Sequence, residues 1–255
     1  VYYSFAIGAF VFIASILVTV FTTTENPPED MDKFIKDKDN SSGAMNGLKE
    51  VMKYISDMPK LMKQLGVVQF FSWFAFFTMW SFATPALTGW VFDAPNPATN
   101  SDNFEVLNLA YNEAANAVSS SMGLYGLSSM AFALLLTFYT SKYGINRKII
   151  HSISLALGGL GFIWMLFISP DNASNLNWCF ALIGISWGSM LSMPYAMLAG
   201  ELPSDKMGVY MGIFNMFIVI PQIVAALGGI NWLYKNFIGD AVINTMVLAG
   251  ICLLL

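Results

Sequence analysis

The polar side chains inside the long apolar stretches of this sequence are nearly all neutral, and several fall at spacings that let them act together. Gln69, Trp73, Trp80 and Thr84 share one face of a helix at about 100° per residue. Asn215 and Gln222 share another, Trp187 lies in the middle of a fifth stretch, and Asn116 and Ser119 to Ser121, Ser120 among them, open a third. Amides and hydroxyls exchange hydrogen bonds with a ligand's hydroxyl groups, and aromatic faces cover the C–H surface of a ring. The set therefore suits a neutral, hydroxyl-rich molecule. It does not suit proton transfer, because no Asp, Glu, Lys or Arg lies within these stretches. His151 is one turn inside the end of one of them, where a histidine facing the basic loop is expected over a proton relay. The competing reading of every amide and hydroxyl here is a bond to a neighbouring helix, contributing about 0.6 kcal/mol each.

The stretches themselves are seven charge-free runs: Val1 to Thr24, Gly66 to Phe92, Ala114 to Ser141, Ile149 to Pro170, Asn172 to Gly200, Met207 to Tyr234 and Ala241 to Leu255. All but the last exceed the roughly 20 residues that cross hydrocarbon as a helix. The composition, 56% hydrophobic and 11% charged, agrees with an all-α polytopic membrane protein. The first run is followed by an acidic, proline-containing link instead of a cleavage site, so it reads as a span and not as a signal peptide. It begins without an initiator Met, and the last run is still apolar at Leu255, so the chain is expected to be a fragment.

Links between successive spans alternate sides, which sorts the cations. Lys33, Lys36, Lys38, Lys49, Lys53, Lys60, Lys63, Lys142, Arg147, Lys148 and Lys206 fall on one side and only Lys235 on the other. The rich side is expected to be cytoplasmic. Trp90, Trp178 and Trp232 then lie near the outer interface, which indole rings favour. A net charge of -4, spread over the links, offers no nucleic-acid surface. Cys179 and Cys252 lie in apolar runs and read as small hydrophobes. Glu113, Glu201 and Asp205 are scattered in links, without metal-ligand spacing, a nucleophile elbow or a phosphate-cradling glycine loop. No enzyme, metal or cofactor is expected.

The one extended link, residues 25–65, divides in two. Glu25 to Gly43 carries Pro27, Pro28 and mixed charge, which is linker chemistry. Met45 to Leu65 repeats Leu48, Val51, Met52, Ile55, Met58, Leu61, Met62 and Leu65 at helical period, with Lys49, Lys53 and Lys60 on another face. Such a helix either lies along the inner leaflet or packs beneath the bundle.

The turn from Ser141 to Lys148 (SKYGINRK) resembles the Gly and Arg/Lys turn of the major facilitator superfamily, with Ser141 where that family usually has an acid and with Ile145 and Asn146 inserted. The segments Met193 to Leu198 (MPYAML), Gly208 to Gln222 (GVYMGIFNMFIVIPQ), Met58 to Leu65 (MPKLMKQL) and Gln69 to Phe76 (QFFSWFAF) resemble sucrose-type sugar:proton symporters of the glycoside-pentoside-hexuronide kind. The resemblance implies the major facilitator fold, covering its sixth to twelfth helices: 1–24 as helix 6, 25–65 as the cytoplasmic link, and 66–255 as a C-terminal domain of inverted three-helix repeats. It implies a monomeric carrier in the plasma (inner) membrane that moves a disaccharide or related glycoside with a proton or other cation by alternating access. In that family the helices matching the second, third, fifth and sixth spans face the central cavity, which agrees with the four spans holding the polar set.

Pro85 lies late in the second span and Pro194 late in the fifth, equivalent positions at opposite ends if the repeats are inverted. They are expected to serve as gates, with Arg147 and Lys148 at the inner one, against a packing kink as the alternative. The pairs Gly184/Gly188 and Gly208/Gly212 have the spacing of close helix crossings. The competing function is a carrier-like protein that moves no solute and acts as a membrane sensor or assembly partner. Acids in the first and fourth helices of the N-terminal half would favour symport, and apolar residues there the sensor.

Overall fold

The computed structural model describes residues 2–23, 44–140, 142–203 and 206–255. The linker expected over 25–43, with Lys33, Lys36 and Lys38, lies outside the described residues, as do Ser141 and Asp205. Every regular element among the described residues is helical: α1 (Tyr2–Thr22), α2 (Ala44–Ser56), α3 (Lys60–Val91), α4 (Phe104–Thr140), α5 (Arg147–Trp164), α6 (Leu176–Leu198), α7 (Met207–Val224), α8 (Ile230–Phe237) and α9 (Asn244–Leu254). Five stretches, Lys60–Val91, Phe104–Thr140, Arg147–Phe167, Pro170–Leu198 and Met207–Phe237, are long and apolar enough to cross a membrane, and Ala6–Thr22 and Asn244–Leu254 are shorter apolar helices. The chain forms two compact units, Val1–Lys53 and Tyr54–Leu255. In the first, Ser15, Thr19 and Thr22 of α1 turn their hydroxyls back to Val11, Ser15 and Val18 carbonyls, which conceals their polarity within the helix. The expected ligand-binding side chains all belong to the second.

Helix boundaries depart from the charge-free runs where charge and helix part company. The helical period read from Met45 to Leu65 is broken: α2 ends at Ser56, and Pro59 caps α3, whose first turns carry Lys60 and Lys63. Proline disfavours helix in the residue before it and suits a helix start, which explains the division. Met58, Met62 and Leu65 are buried with Met193, Met197, Leu198, Tyr210 and Phe214, so this part packs beneath the bundle. Likewise α4 begins at Phe104, so Glu105 and Glu113 are helical and not in a link. Charges end an apolar run without ending the helix, which continues out of the hydrocarbon. The sixth run is divided by a wide π-type turn over Ala225–Gly229, with Gly228 at φ +100°, into α7, which carries Pro221 inside it, and α8.

Packing in the second unit has an internal symmetry. α3 packs on α7 and α9, α6 packs on α4 and α5, and α5 packs on α9. Exchanging α3 with α6, α4 with α7 and α5 with α9 returns these five pairs, although α3 also packs on α4 more closely than α6 does on α7. Each repeat holds an odd number of spans, so the second enters from the opposite side, and the two are inverted three-helix repeats. Glycines set the closest crossings. A Cβ on Gly184 of α6 would meet the Tyr125 carbonyl and Ser128 hydroxyl of α4, while Gly159 and Gly250 face each other so closely that a Cβ on either stands 2.9 or 2.8 Å from the other's carbonyl oxygen. Gly208 and Gly212 have nothing within 4 Å, so the crossing expected of that pair is not formed among the described residues. Small residues matter at such crossings because lipid gives helices no hydrophobic reason to associate, leaving close contact as the attraction.

Replacing Gly184 or Gly250 by Ala should therefore separate α4 from α6 or α5 from α9 and cost about 1–3 kcal/mol, read as a lower thermal midpoint of the detergent-solubilised full-length protein. Gly208→Ala and Gly212→Ala should be neutral or stabilise by up to about 1 kcal/mol through helix propensity alone.

Candidate functional site

The shared face expected on α3 is present, and α6 meets it. Trp73 and Trp80 stand with ring centroids 6.4 Å apart, and Trp187 of α6 inserts against both, at 5.6 and 5.3 Å. The three indoles meet edge to face, the favoured geometry for aromatic quadrupoles. Phe76 supports Trp187 at 4.9 Å, and Tyr125 of α4 closes the side at 6.4 Å. Trp80 remains 40% exposed, so the wall presents open aromatic surface. Thr84 is half-buried one turn beyond it. The Gly184 crossing is what brings α4 close enough to α6 for Tyr125 to reach Trp187.

Beside this wall the polar groups are incompletely paired. Gln69 is 1% exposed, and its Nε2 donates to the Met190 carbonyl of α6 at 3.4 Å. Pro194 lies four residues after Met190 and has no N–H, so that carbonyl lacks its intrahelical donor. Gln69 supplies the missing bond from another helix. The other end of its amide, Oε1, is buried without a partner among the described residues, and so is Trp73 Nε1 one helical turn away. One is an acceptor and the other a donor. A hydroxyl group does both, so the pair is chemically suited to a ligand hydroxyl in a conformation that opens these buried atoms. Each unpartnered buried group costs about 1–3 kcal/mol, which a bound hydroxyl would relieve.

The remaining expected residues lie elsewhere. Asn116 and Ser120 of α4 are exposed and point about 180° and about 140° away from Tyr125 around the helix. Their neighbour Ser121 is the one that works between helices, donating to Asn177 Oδ1 at 2.8 Å. Asn215 is exposed on α7, and Gln222 returns its amide to the Ile218 carbonyl of its own helix at 3.0 Å. No ring contact or hydrogen bond among the described residues joins either to the tryptophan wall. His151 is not an exposed interfacial residue: it is 4% exposed, with Nδ1 2.9 Å from Ser189 Oγ of α6 and Nε2 unpartnered among the described residues, although it lines a cavity of about 180 Å³ together with Lys148 of the basic turn. The reason is its place on the face of α5 that packs against α6, which the position near a helix end does not reveal.

The two prolines inside α3 and α6 occupy opposite ends of the bundle, Pro85 exposed and Pro194 buried. Arg147, the first residue of α5, donates to the Ala196 carbonyl at 2.7 Å, just past Pro194, and borders a groove of about 480 Å³ with Thr137, Thr140, Tyr143 and Ser192. A guanidinium suits the unpaired carbonyls of a helix C-terminus. Lys148 beside it is exposed. The sequence reading missed Tyr125, Phe76 and the Met190 carbonyl. Only the last had a signal, since Pro194 requires a foreign donor four residues back.

Two curated relatives match this chain: the sucrose transport protein SUT5 of Oryza sativa subsp. indica and its namesake in subsp. japonica, each 23% identical over 237 residues. The alignment covers 86% of this chain and 44% of each relative, so the chain spans less than half their length. The family description Major Facilitator Superfamily matches residues 1–226. With inverted repeats in its packing and that match over most of its length, this chain belongs to the major facilitator superfamily.

Proposed function

We propose that the protein containing this chain is a secondary active transporter that takes up a disaccharide or related glycoside together with a cation, most simply a proton, by alternating access. One observation carries the reading: a buried acceptor and a buried donor, Gln69 Oε1 and Trp73 Nε1, stand one turn apart beside three mutually packed tryptophans. A pyranose or furanose ring has this division, with hydroxyls on its edge and C–H groups on its face. Each hydrogen bond supplies about 1 kcal/mol, a range consistent with a carrier that must also release its cargo. The names of the rice relatives support the same substrate class.

None of the side chains forming the wall is an acid or a base, so this half grips the sugar and the coupling carboxylate is expected in helices outside this chain. Thr84, Asn116, Ser120, Asn215 and Gln222 remain proposed cavity residues for the complete carrier, where a second half faces the surfaces now exposed. Pro85 and Pro194 are the proposed gates, with Arg147 and Lys148 at the cytoplasmic one. The cation count supports a cytoplasmic side for the Arg147 end and the 25–65 link.

Full-length protein in proteoliposomes is expected to accumulate a labelled disaccharide when the inside is alkaline and to equilibrate it without a gradient. Failure to accumulate any glycoside under either condition would overturn the transport reading, and saturable binding without uptake would instead identify a sensor. Trp73→Phe keeps an aromatic ring but removes the indole N–H, and should weaken sugar binding by about 5- to 10-fold, close to one hydrogen bond. Isothermal titration of the two proteins checks this, and equal affinities would remove Trp73 Nε1 from the site.

A further inference from the structure

We infer that Gln69 is a positioning residue that couples occupancy of the sugar site to the bend of α6 at Pro194. The inference rests on the sugar-binding reading above. The two ends of one amide face two different tasks: Nε2 holds the Met190 carbonyl that Pro194 has released, and Oε1 is buried and unpartnered beside Trp73. Any glutamine that donates through Nε2 brings a carbonyl oxygen with it, and here that oxygen is left buried without a partner among the described residues, where a bound hydroxyl would offset the cost of leaving it unpaired.

The amide conveys the state of one end to the other. A hydroxyl donating to Oε1 polarises the conjugated group and makes its N–H a stronger donor. At 3.4 Å the bond to Met190 is longer than the usual 2.9–3.0 Å, so it has room to shorten. Proline makes the link consequential. In an ordinary helix the Met190 carbonyl would be held by the N–H of residue 194 whatever Gln69 did, whereas here its donor comes from α3. If α6 bends away, a donor and an acceptor are both left buried without partners.

The bend is also bracketed. Before it, Ser189 is tied to His151 of α5 and Met190 to Gln69 of α3; after it, the Ala196 carbonyl is held by Arg147. Residues 191–195 therefore form the segment of α6 between two sets of side-chain ties, with the proline inside it. The tie before the bend includes the ligand-facing amide, and the tie after it is to the basic turn at the mouth of the bundle. A sugar that tightens the first set favours one setting of the bend over the other, and the second set carries that setting to the gate.

The test uses the full-length protein in proteoliposomes, with Ala199, exposed at the end of α6, replaced by Cys and its maleimide labelling rate followed. Saturating sucrose, or whichever glycoside the uptake assay identifies, should change that rate by about 5-fold or more in the otherwise unaltered protein. Gln69→Met keeps the side-chain shape without either polar end, and should abolish the change even at sugar concentrations that saturate its weakened site. Pro194→Ala restores an intrahelical donor to Met190 and should diminish the change similarly. Without sugar, Gln69→Met should lower the thermal midpoint in the parent but much less in the Pro194→Ala background, where the carbonyl is already paired. That double variant also keeps the test available if Gln69→Met alone folds poorly. A normal sugar-dependent change in Gln69→Met, or an equal loss of midpoint in both backgrounds, would overturn the coupling alone. Absence of glycoside binding to the unaltered protein would overturn the sugar-binding reading, and this inference with it.

Discussion

In hydrocarbon no water is present to complete a hydrogen bond, so every backbone N–H and C=O must be paired within the protein. That constraint explains why every regular element among the described residues is helical, and it makes each internal proline an event with a defined consequence. Pro194 removes the donor for Met190, Gln69 supplies one from α3, and the other end of its amide is left without a partner one turn from Trp73. Pro221 creates the same need in α7, where the helix continues through a π-type turn before α8. The polar groups of α1 and Gln222 follow the rule at lower stakes, bonding carbonyls of their own helices.

Shape follows from a second constraint, that lipid gives helices no hydrophobic reason to associate. Close approach must supply the attraction. Gly159 against Gly250 joins the third helices of the two repeats, and Gly184 against Tyr125 and Ser128 joins the first helix of one repeat to the second helix of the other. The latter crossing also builds the site, because it fixes Tyr125 and Trp187 at a distance where aromatic edges and faces meet. Fold and candidate site thus share their contacts in α6, which packs on α4 and α5 and also contributes Trp187, the Met190 carbonyl and Pro194.

Much of this was legible in the sequence because helical period places residues on faces. The spans, the shared face of Gln69, Trp73, Trp80 and Thr84, and the prolines in α3 and α6 could all be read without coordinates. What period does not give is the identity of the neighbour. In a soluble protein an apolar face points inward, but in a membrane the lipid and the interior are both apolar, so a polar residue's direction is ambiguous. Asn116 and Ser120 were grouped with Trp187 on composition, and the structure points them to the opposite side of α4 from Tyr125. His151 was read as interfacial from its place near a helix end, yet it lies in the contact between α5 and α6. The break at Pro59 was hidden because apolar residues keep helical period on both sides of it.

The absence of charge at the wall has a mechanistic side. A carboxylate there would bind a sugar hydroxyl more strongly than an amide does, because hydrogen bonds to ionised groups are about twice as strong, but it would need a counter-charge whenever the site emptied into a low-dielectric surround. An amide avoids that requirement. Gln69 has one end paired by the Met190 carbonyl, and its Oε1 is a neutral acceptor without a partner among the described residues. The cost of the empty state is then that of two neutral groups left unpaired, Gln69 Oε1 and Trp73 Nε1, not an ion's. On the proposed function, a neutral grip tied to a proline-released carbonyl would load and unload without stranding an ion, and the coupling charge would lie apart from it.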